Sequence, residues 1–282
     1  MRKYLGIAVL AVSAAVFLAP PPAAAQGVFG KGIQDGDKKP APRWTDGHPD
    51  LGNSKGSWEI RRIEDVSGNG GGERPGPELK ERQLKQLDAR VDVPFTPAAK
   101  KLYDERQANI SKDDPEGFCL PSGVPRHLNT PFPVQFYQLP DRIIEVMEGG
   151  AHMWRVIYMD GRKHMPLDKL NPTYLGESIG HWEGDTLVVD VIGFNERTWI
   201  DAAGHPHSEA AHVVERYTRP NYNTLHYQFT LDDPAMYTKP WGNGWNVTWA
   251  EGMEPLEYVC QENNKDVVLE HHMVGVGADG KR

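Results

Sequence analysis

The sequence predicts a mainly β protein: an antiparallel meander that closes into a barrel or sandwich, preceded by an extended and helical N-terminal arm. Three observations carry this. After Cys119 the chain breaks into short runs rich in β-branched and aromatic residues, among them "FPVQFYQL", "HMWRVIYMDGR", "TLVVDVIGF" and "LHYQFTLDDP", separated by Gly, Asp, Asn and Pro clusters. Turns such as "WEGDT" and "RPNYNT" join successive runs with no helix between them, which makes neighbours antiparallel. Roughly eight strands are enough for such a meander to close on itself or fold over.

The elements follow in order. Met1-Arg2-Lys3, an apolar run from Tyr4 to Leu18 and small residues ending at Ala25 make a secretory signal peptide, with Gln26 the new N-terminus. The run is shorter than the roughly 20 residues of a spanning helix, and no later segment approaches that length. The mature chain is therefore expected to be exported, periplasmic or secreted, with no membrane span. From Gln26 to Pro77 the composition is Gly, Pro and charge, which cannot bury enough apolar surface to fold alone, so this arm is expected to be extended or disordered. Within it "GSWEI" offers Trp58 and Ile60 as a first short strand. Residues 78–118 form a helical segment: "PELKERQLKQLDAR" and "TPAAKKLYDERQAN" each carry a proline at the first helical position, and Thr96 is placed as a cap. The β domain is expected over 119–270 and a C-terminal tail over 271–282.

Cys119 and Cys260 are the two cysteines. In an oxidising compartment a distant pair is most simply a disulfide, and neither cysteine belongs to a Cys-x-x-Cys motif that would favour a reactive thiol. The net charge is −8, and loss of Arg2 and Lys3 with the leader makes it −10. Without a basic stripe the chain is a poor partner for nucleic acid or anionic lipid. The one Gly-x-Ser-x-Gly string, "GESIG" at 176–180, runs into a β-rich stretch with no helix after it and so is not a strand-to-helix nucleophile elbow; the chain contains no phosphate loop between a strand and a helix, and no Cys-x-x-Cys-His haem site.

Alternation assigns faces. Leu225, Tyr227, Phe229 and Leu231 share the core side of their strand. In "HVVERYTR" Val213 and Tyr217 do the same, with Glu215 between them on that side. A carboxylate on a core face is costly unless paired or lining a polar cavity, which singles Glu215 out.

The strings "VIYMDGRKH", "ESIGHWEGDTLVVDVIGFNE", "HVVERYTR", "YQFTLDDPAMYTKPW" and "LEYVCQEN" resemble a large family of exported bacterial β-rich proteins. There a GxWEGDTLVVD hairpin, an ER-containing strand, a DP…PW stretch and an EYxCxEN strand recur in this order. The resemblance covers about residues 40–270. It implies secretion and an antiparallel β domain, and no activity. In that family arginine is common at the position of His181, and the His-Pro-His of 205–207 is not part of the pattern. Those histidines would belong to this branch alone.

Two constellations could carry chemistry. An acid–base set takes Glu215 as acid or base, Asp190 or His212 as its partner, and Arg155 as anion holder. A carboxyl in an apolar pocket moves towards neutral pKa, and such sets occur in cofactor-free isomerases, hydratases and lyases on lipocalin-like barrels. The competing reading is a structural ion pair, with Glu215 answered by Arg155, Arg142 or Arg126. The metal set takes His205, His207 and His212, with Glu209 and His181 or His226 as additions, because His-x-His in extended chain presents both imidazoles to one side. Pro206 weakens it, and the competing reading is a loop whose histidines cap backbone groups. Tyr158, Arg162, His164 and His181 are candidate ligand contacts at a barrel mouth. "WEGDT" is turn chemistry, with Gly184 supplying backbone freedom and Asp185 bonding its own loop. The tryptophans are read as core and rim packing.

The favoured function is a pocket protein for a small, partly apolar molecule, acting through acid–base chemistry if it is an enzyme. No cofactor is expected. A metal-dependent enzyme and a non-catalytic ligand-binding or envelope-interaction module are the alternatives, and a dry, filled barrel would favour the last.

Overall fold

A computed structural model describes residues 39–53, 55–72, 77–109, 112–149 and 153–262. The predicted signal peptide and the C-terminal tail lie outside them.

Nine strands close into a barrel in sequence order: β1 (Gly56–Glu59), β2 (Val134–Gln138), β3 (Arg142–Met147), β4 (Met153–Tyr158), β5 (Glu177–Glu183), β6 (Thr186–Ile192), β7 (His212–Thr218), β8 (Thr224–Asp232) and β9 (Trp241–Glu251). The predicted short strand around Trp58 is β1, and it seals the barrel between β9 and β2. One pairing departs from the expected meander: β4 and β5 are parallel, Ile157 opposite Ser178. Asp160-Gly161 does turn the chain, with Gly161 at φ 75°, but the next strand starts only at Glu177. Residues 159–176 are long enough to recross the barrel, as a parallel neighbour requires.

Alternation sorts the wall as expected. Val213, Glu215 and Tyr217, and Leu225, Tyr227, Phe229 and Leu231, are all buried. Glu215 faces Val189 on β6 and Phe229 on β8, so these rows share the interior. Trp58, Trp241, Trp245 and Trp249 are buried beside them, whereas Trp154 is exposed. The segment 119–133 enters this core: the Trp245 indole donates to the Leu128 carbonyl at 2.7 Å, and His127 packs edge-on to Tyr227. Cys119, where that segment begins, is joined to Cys260 beyond β9 across 141 residues. Closing a loop of that length is worth about 5 kcal/mol when only unfolded-chain entropy is counted.

The helical segment is two helices, α1 (Pro77–Gln86) and α2 (Pro97–Asn109), each opening at a proline. Between them Leu87 bridges to Trp245 and Phe95 to Tyr237, so the chain lies on the barrel instead of continuing as helix. The Thr96 hydroxyl accepts from the Ala99 amide at 3.3 Å, the predicted cap. The arm is also ordered where it is described. Ile60, Ile63 and Val66 are buried, and the amides of Ser67 and Gly71 donate to Asp65 at 2.8 Å each. Its composition forbids folding alone, but the barrel supplies the apolar surface and buried carboxylates supply the acceptors.

Candidate functional site

Inside the barrel, two adjacent strands and a third that pairs with neither bring three charges together. Glu145 on β3 lies opposite Arg155 on β4, and Glu215 reaches them from β7. Arg155 donates through Nε to Glu145 Oε2 at 2.5 Å, and through Nη1 and Nη2 to the two oxygens of Glu215 at 2.7 and 3.1 Å. The hydroxyls of Tyr217 and Tyr227 each donate to Glu215 Oε1 at 2.8 Å, and His127 Nε2 stands 3.0 Å from Glu145 Oε1. Glu145, Glu215, Tyr217 and Tyr227 have no exposed surface. Burial pushes the Glu145 carboxyl up, but Arg155 and His127 outweigh it and hold it at about 2. Burial works against the Arg155 guanidinium too, and the two carboxylates raise it regardless.

Glu215 thus accepts four hydrogen bonds from fixed partners. A small space beside His127, Thr130 and Met147 measures about 10 Å³, room for a single water. This is the geometry of the structural ion pair, with Arg155 as the answering cation.

Asp190 and His212 do not join it. Val189 is the residue opposite Glu215, so Asp190, one position along, points outward, and His212 shares that outer side. There they meet each other and His164. The Nε2 atoms of His212 and His164 lie 2.9 and 3.0 Å from the same oxygen, Asp190 Oδ1. His164 Nδ1 contacts Glu177 Oε2 at 2.8 Å, and the Met165 amide donates to that oxygen at 3.0 Å. Burial raises the Asp190 carboxyl, but its hydrogen bond and charge interaction with His212 leave it lowered, and the same bond raises the His212 imidazole. The group is partly open to solvent, with side-chain exposures of 20% for His164, 41% for Asp190 and 42% for His212.

The structure does not bring His205, His207 and His212 to one point. His207 Nε2 sits 2.7 Å from the Thr198 hydroxyl, in a buried setting that lowers its pKa. His205 Nδ1 contacts Asp201 Oδ2 at 2.8 Å, with Asp65 close by; burial opposes its charging, yet the two carboxylates raise it. Asp65, Asp201 and His205 have ligand atoms near enough for an ion, but the carboxylates are already engaged. Asp65 accepts from Ser67 and Gly71, and Asp201 accepts from the Val66 and His205 amides. A pocket of inward N–H groups suits anionic oxygens, not a cation, so this trio reads as the clamp that holds the arm on the barrel.

Among the remaining candidates, His181 is exposed and lies 3.3 Å from Glu183. Arg162 pairs with Asp160 and lies over the Tyr158 ring at 3.7 Å, a self-contained surface stack. Asp185 does not bond its own turn; it accepts from Arg43 of the arm at 2.7 Å. His226, an optional ligand of the metal set, pairs instead with Asp88 at 3.1 Å.

Sequence reasoning missed a groove of about 340 Å³ on the outside of the barrel, between the end of α1 and the β8–β9 ladder. β1 pairs only with Thr248–Glu251 of β9; beyond that, Leu87 and Asp88 lie along the vacated edge, with the Asp88 amide donating to the Gly244 carbonyl at 2.8 Å. A side chain at Gly244 would collide with Asp88. The floor is Leu87 and Val247, the sides are Thr224, Asn246, Thr248 and Gln86 with Asp88, whose carboxylate is paired with His226, and Arg61, Arg82 and Lys85 stand at the rim. Lys85 pairs with Glu81, whereas neither Arg61 nor Arg82 has an ion-pair partner among the described residues. The three cations come from separate segments, so no run of basic residues announces them.

No protein-family model, curated protein or solved structure matches this chain.

Proposed function

We propose that the chain is an exported small-molecule-binding protein that uses its barrel as a scaffold and takes an anionic ligand in the groove between α1 and β8–β9. The observation that carries this is the groove itself: a ligand-sized space with two arginines that have no ion-pair partner among the described residues, on an acidic protein. Ligand sites typically measure about 300–1,000 Å³ and combine an apolar floor with a few polar groups. Leu87 and Val247 provide the first, and the threonines, Asn246 and Gln86 provide the second. A small carboxylate that also carries hydroxyls, such as a sugar acid or hydroxy acid, answers both the cations and the neutral polar walls. Acid–base catalysis at Glu215 has less support, because its lone pairs are committed to Arg155 and two tyrosines.

Calorimetry of the mature protein with glucuronate, citrate and phosphate tests this. At least one anion should bind, and Arg61→Ala/Arg82→Ala should weaken it at least ~10-fold, since charge-assisted contacts dominate such recognition. At 100-fold excess over Kd, binding adds about 2.7 kcal/mol, a rise in Tm of roughly 5–10 °C for a chain of this size. Failure of all three anions at millimolar concentration, or equal binding by the double variant, would sink the proposal.

A further inference from the structure

Resting on the groove between α1 and β8–β9 as the anion site, we propose that the Asp88–His226 pair sets its charge, so that a small anion binds tightly only while His226 carries its second proton. Capture of the ligand and retention of that proton are then one linked event.

An aspartate has the wrong sign for a wall that receives an anion. The Asp88 side chain lines the groove, is 3% exposed, and leaves its Oδ1 with no hydrogen-bond partner among the described residues. Its Oδ2 meets His226 Nε2 at 3.1 Å, and His226 is its only ion-pair partner among those residues; Gln228 adds a long, uncharged contact at 3.4 Å. The other ring nitrogen, Nδ1, lies 2.8 Å from Asn246 Oδ1, and Asn246 is itself a wall residue of the groove. Oxygen acceptors at both ring nitrogens require an N–H at each, which only the imidazolium has. A neutral ring that keeps its hydrogen on Nε2 needs a donor at Nδ1. The Asn246 amide must then turn over, and the polar pattern of the wall changes with it.

The surroundings leave Asp88 as the charge that His226 answers. On β7 the residue opposite His226 is the uncharged Thr218, and Arg216, two positions along, is held by Glu183. On β9 the residue opposite is Asn246, and Lys85 of α1 is tied to Glu81. Burial opposes charging of the His226 imidazole, but its hydrogen bond and charge interaction with Asp88 outweigh that and raise it above its ordinary value. With His226 charged, Asp88 is neutralised, and Arg61 and Arg82 act on the ligand as two uncompensated cations. With His226 neutral, the Asp88 carboxylate cancels one of them. The tight state is therefore complete below ~6.5 and is lost as pH rises through the raised value of the folded ring. Linkage runs both ways: an anion that prefers the charged ring raises that value further.

The mature protein is titrated by calorimetry with glucuronate and with sulfate, whose charges stay fixed between about pH 6 and 9. Affinity should fall at least ~5-fold across that window, the effect of one charge lost beside the ligand. His226→Gln should bind at the acid end as weakly as the parent does at the alkaline end, with no pH dependence left. Asp88→Asn should bind at the alkaline end at least as tightly as the parent at the acid end. Circular dichroism checks that both variants keep the fold. A second readout follows the His226 ring itself by nuclear magnetic resonance, its signal being the one missing from His226→Gln. Its titration midpoint should drop in Asp88→Asn and rise when the parent is saturated with anion. No binding of either anion at any pH ends the groove and the switch alike. Binding that is constant across the window, or a pH dependence that survives His226→Gln, overturns the switch and leaves the groove standing.

Discussion

Inside the wall formed by β3, β4 and β7, Glu145, Arg155 and Glu215 hold one another with no access to water. Outside, one residue along the same kind of strand, Asp190 and His212 pair at a similar distance with about two-fifths of each side chain exposed. The chemistry is nearly the same and the consequences are opposite. Low dielectric makes the inner pairs mutually indispensable, since any one charge left alone is heavily penalised. Water makes the outer pair weak and exchangeable, so either member can be lost without stranding a buried charge. Interior charge in this protein therefore belongs to the fold, and the functional candidates sit on the outside.

The largest expected effect tests the inner side. Arg155→Leu strands two carboxylates and should cost at least ~3–5 kcal/mol in urea unfolding; a loss under ~1 kcal/mol would mean the network is dispensable. Glu215→Gln keeps the Glu145–Arg155 pair, so about 2–3 kcal/mol is expected, with the near-ultraviolet spectrum retained. Asp190→Asn, the outer counterpart, should cost at most ~1 kcal/mol. A cost equal to that of Glu215→Gln would erase the contrast between the faces.

Acidity separates them further. Glu145 titrates lower when folded, so its contribution is complete above the free carboxyl value of ~4.3 and is lost only as pH falls through about 2. Asp190 is also lowered, so its share is present above ~3.9 and fades on acidification. His212 is raised, so its share is complete below ~6.5 and is lost as pH rises through its folded value. The gap in Tm between the parent and Asp190→Asn should therefore be widest between roughly pH 4 and 6.5 and shrink in alkali. A gap constant from acid to alkali would contradict this. The smallest effect belongs to His181→Ala, whose nearest partner is an exposed glutamate; about 0.5 kcal/mol or less is expected from thermal unfolding.

Much of the wall was legible because strand alternation is strict. It places Glu215 inward with the residues that do surround it and sets Arg155 on one side with Met153 and Ile157 in "MWRVIY", and the same rule applied to "RIIEVM" finds Glu145 between Ile143 and Met147. The error over Asp190 was one of parity: Val188 and Ile192 share its side, but that side faces out, and an apolar run such as "TLVVDVI" does not say which of its two faces is the core. His127 lies in a single 3-10 turn, Arg126–Leu128, too short to give a periodic signal. The meeting of His164 with Asp190 depends on the parallel β4–β5 pairing, and the outer groove depends on where β1 stops along β9. Both are long-range facts of register that no local window contains.

The closure of the barrel has a consequence for its assembly. β1 lies between β2 and β9, so the earliest strand made completes its pairing only with the last. A nascent chain holding everything up to β8 still has Trp58 and Phe229 without the tryptophans of β9 beside them. Such a chain gains nothing by folding piecemeal and should fold slowly, in one late cooperative step, as proteins dominated by non-local contacts do. Truncation before Trp241 should therefore leave the chain unable to fold at all.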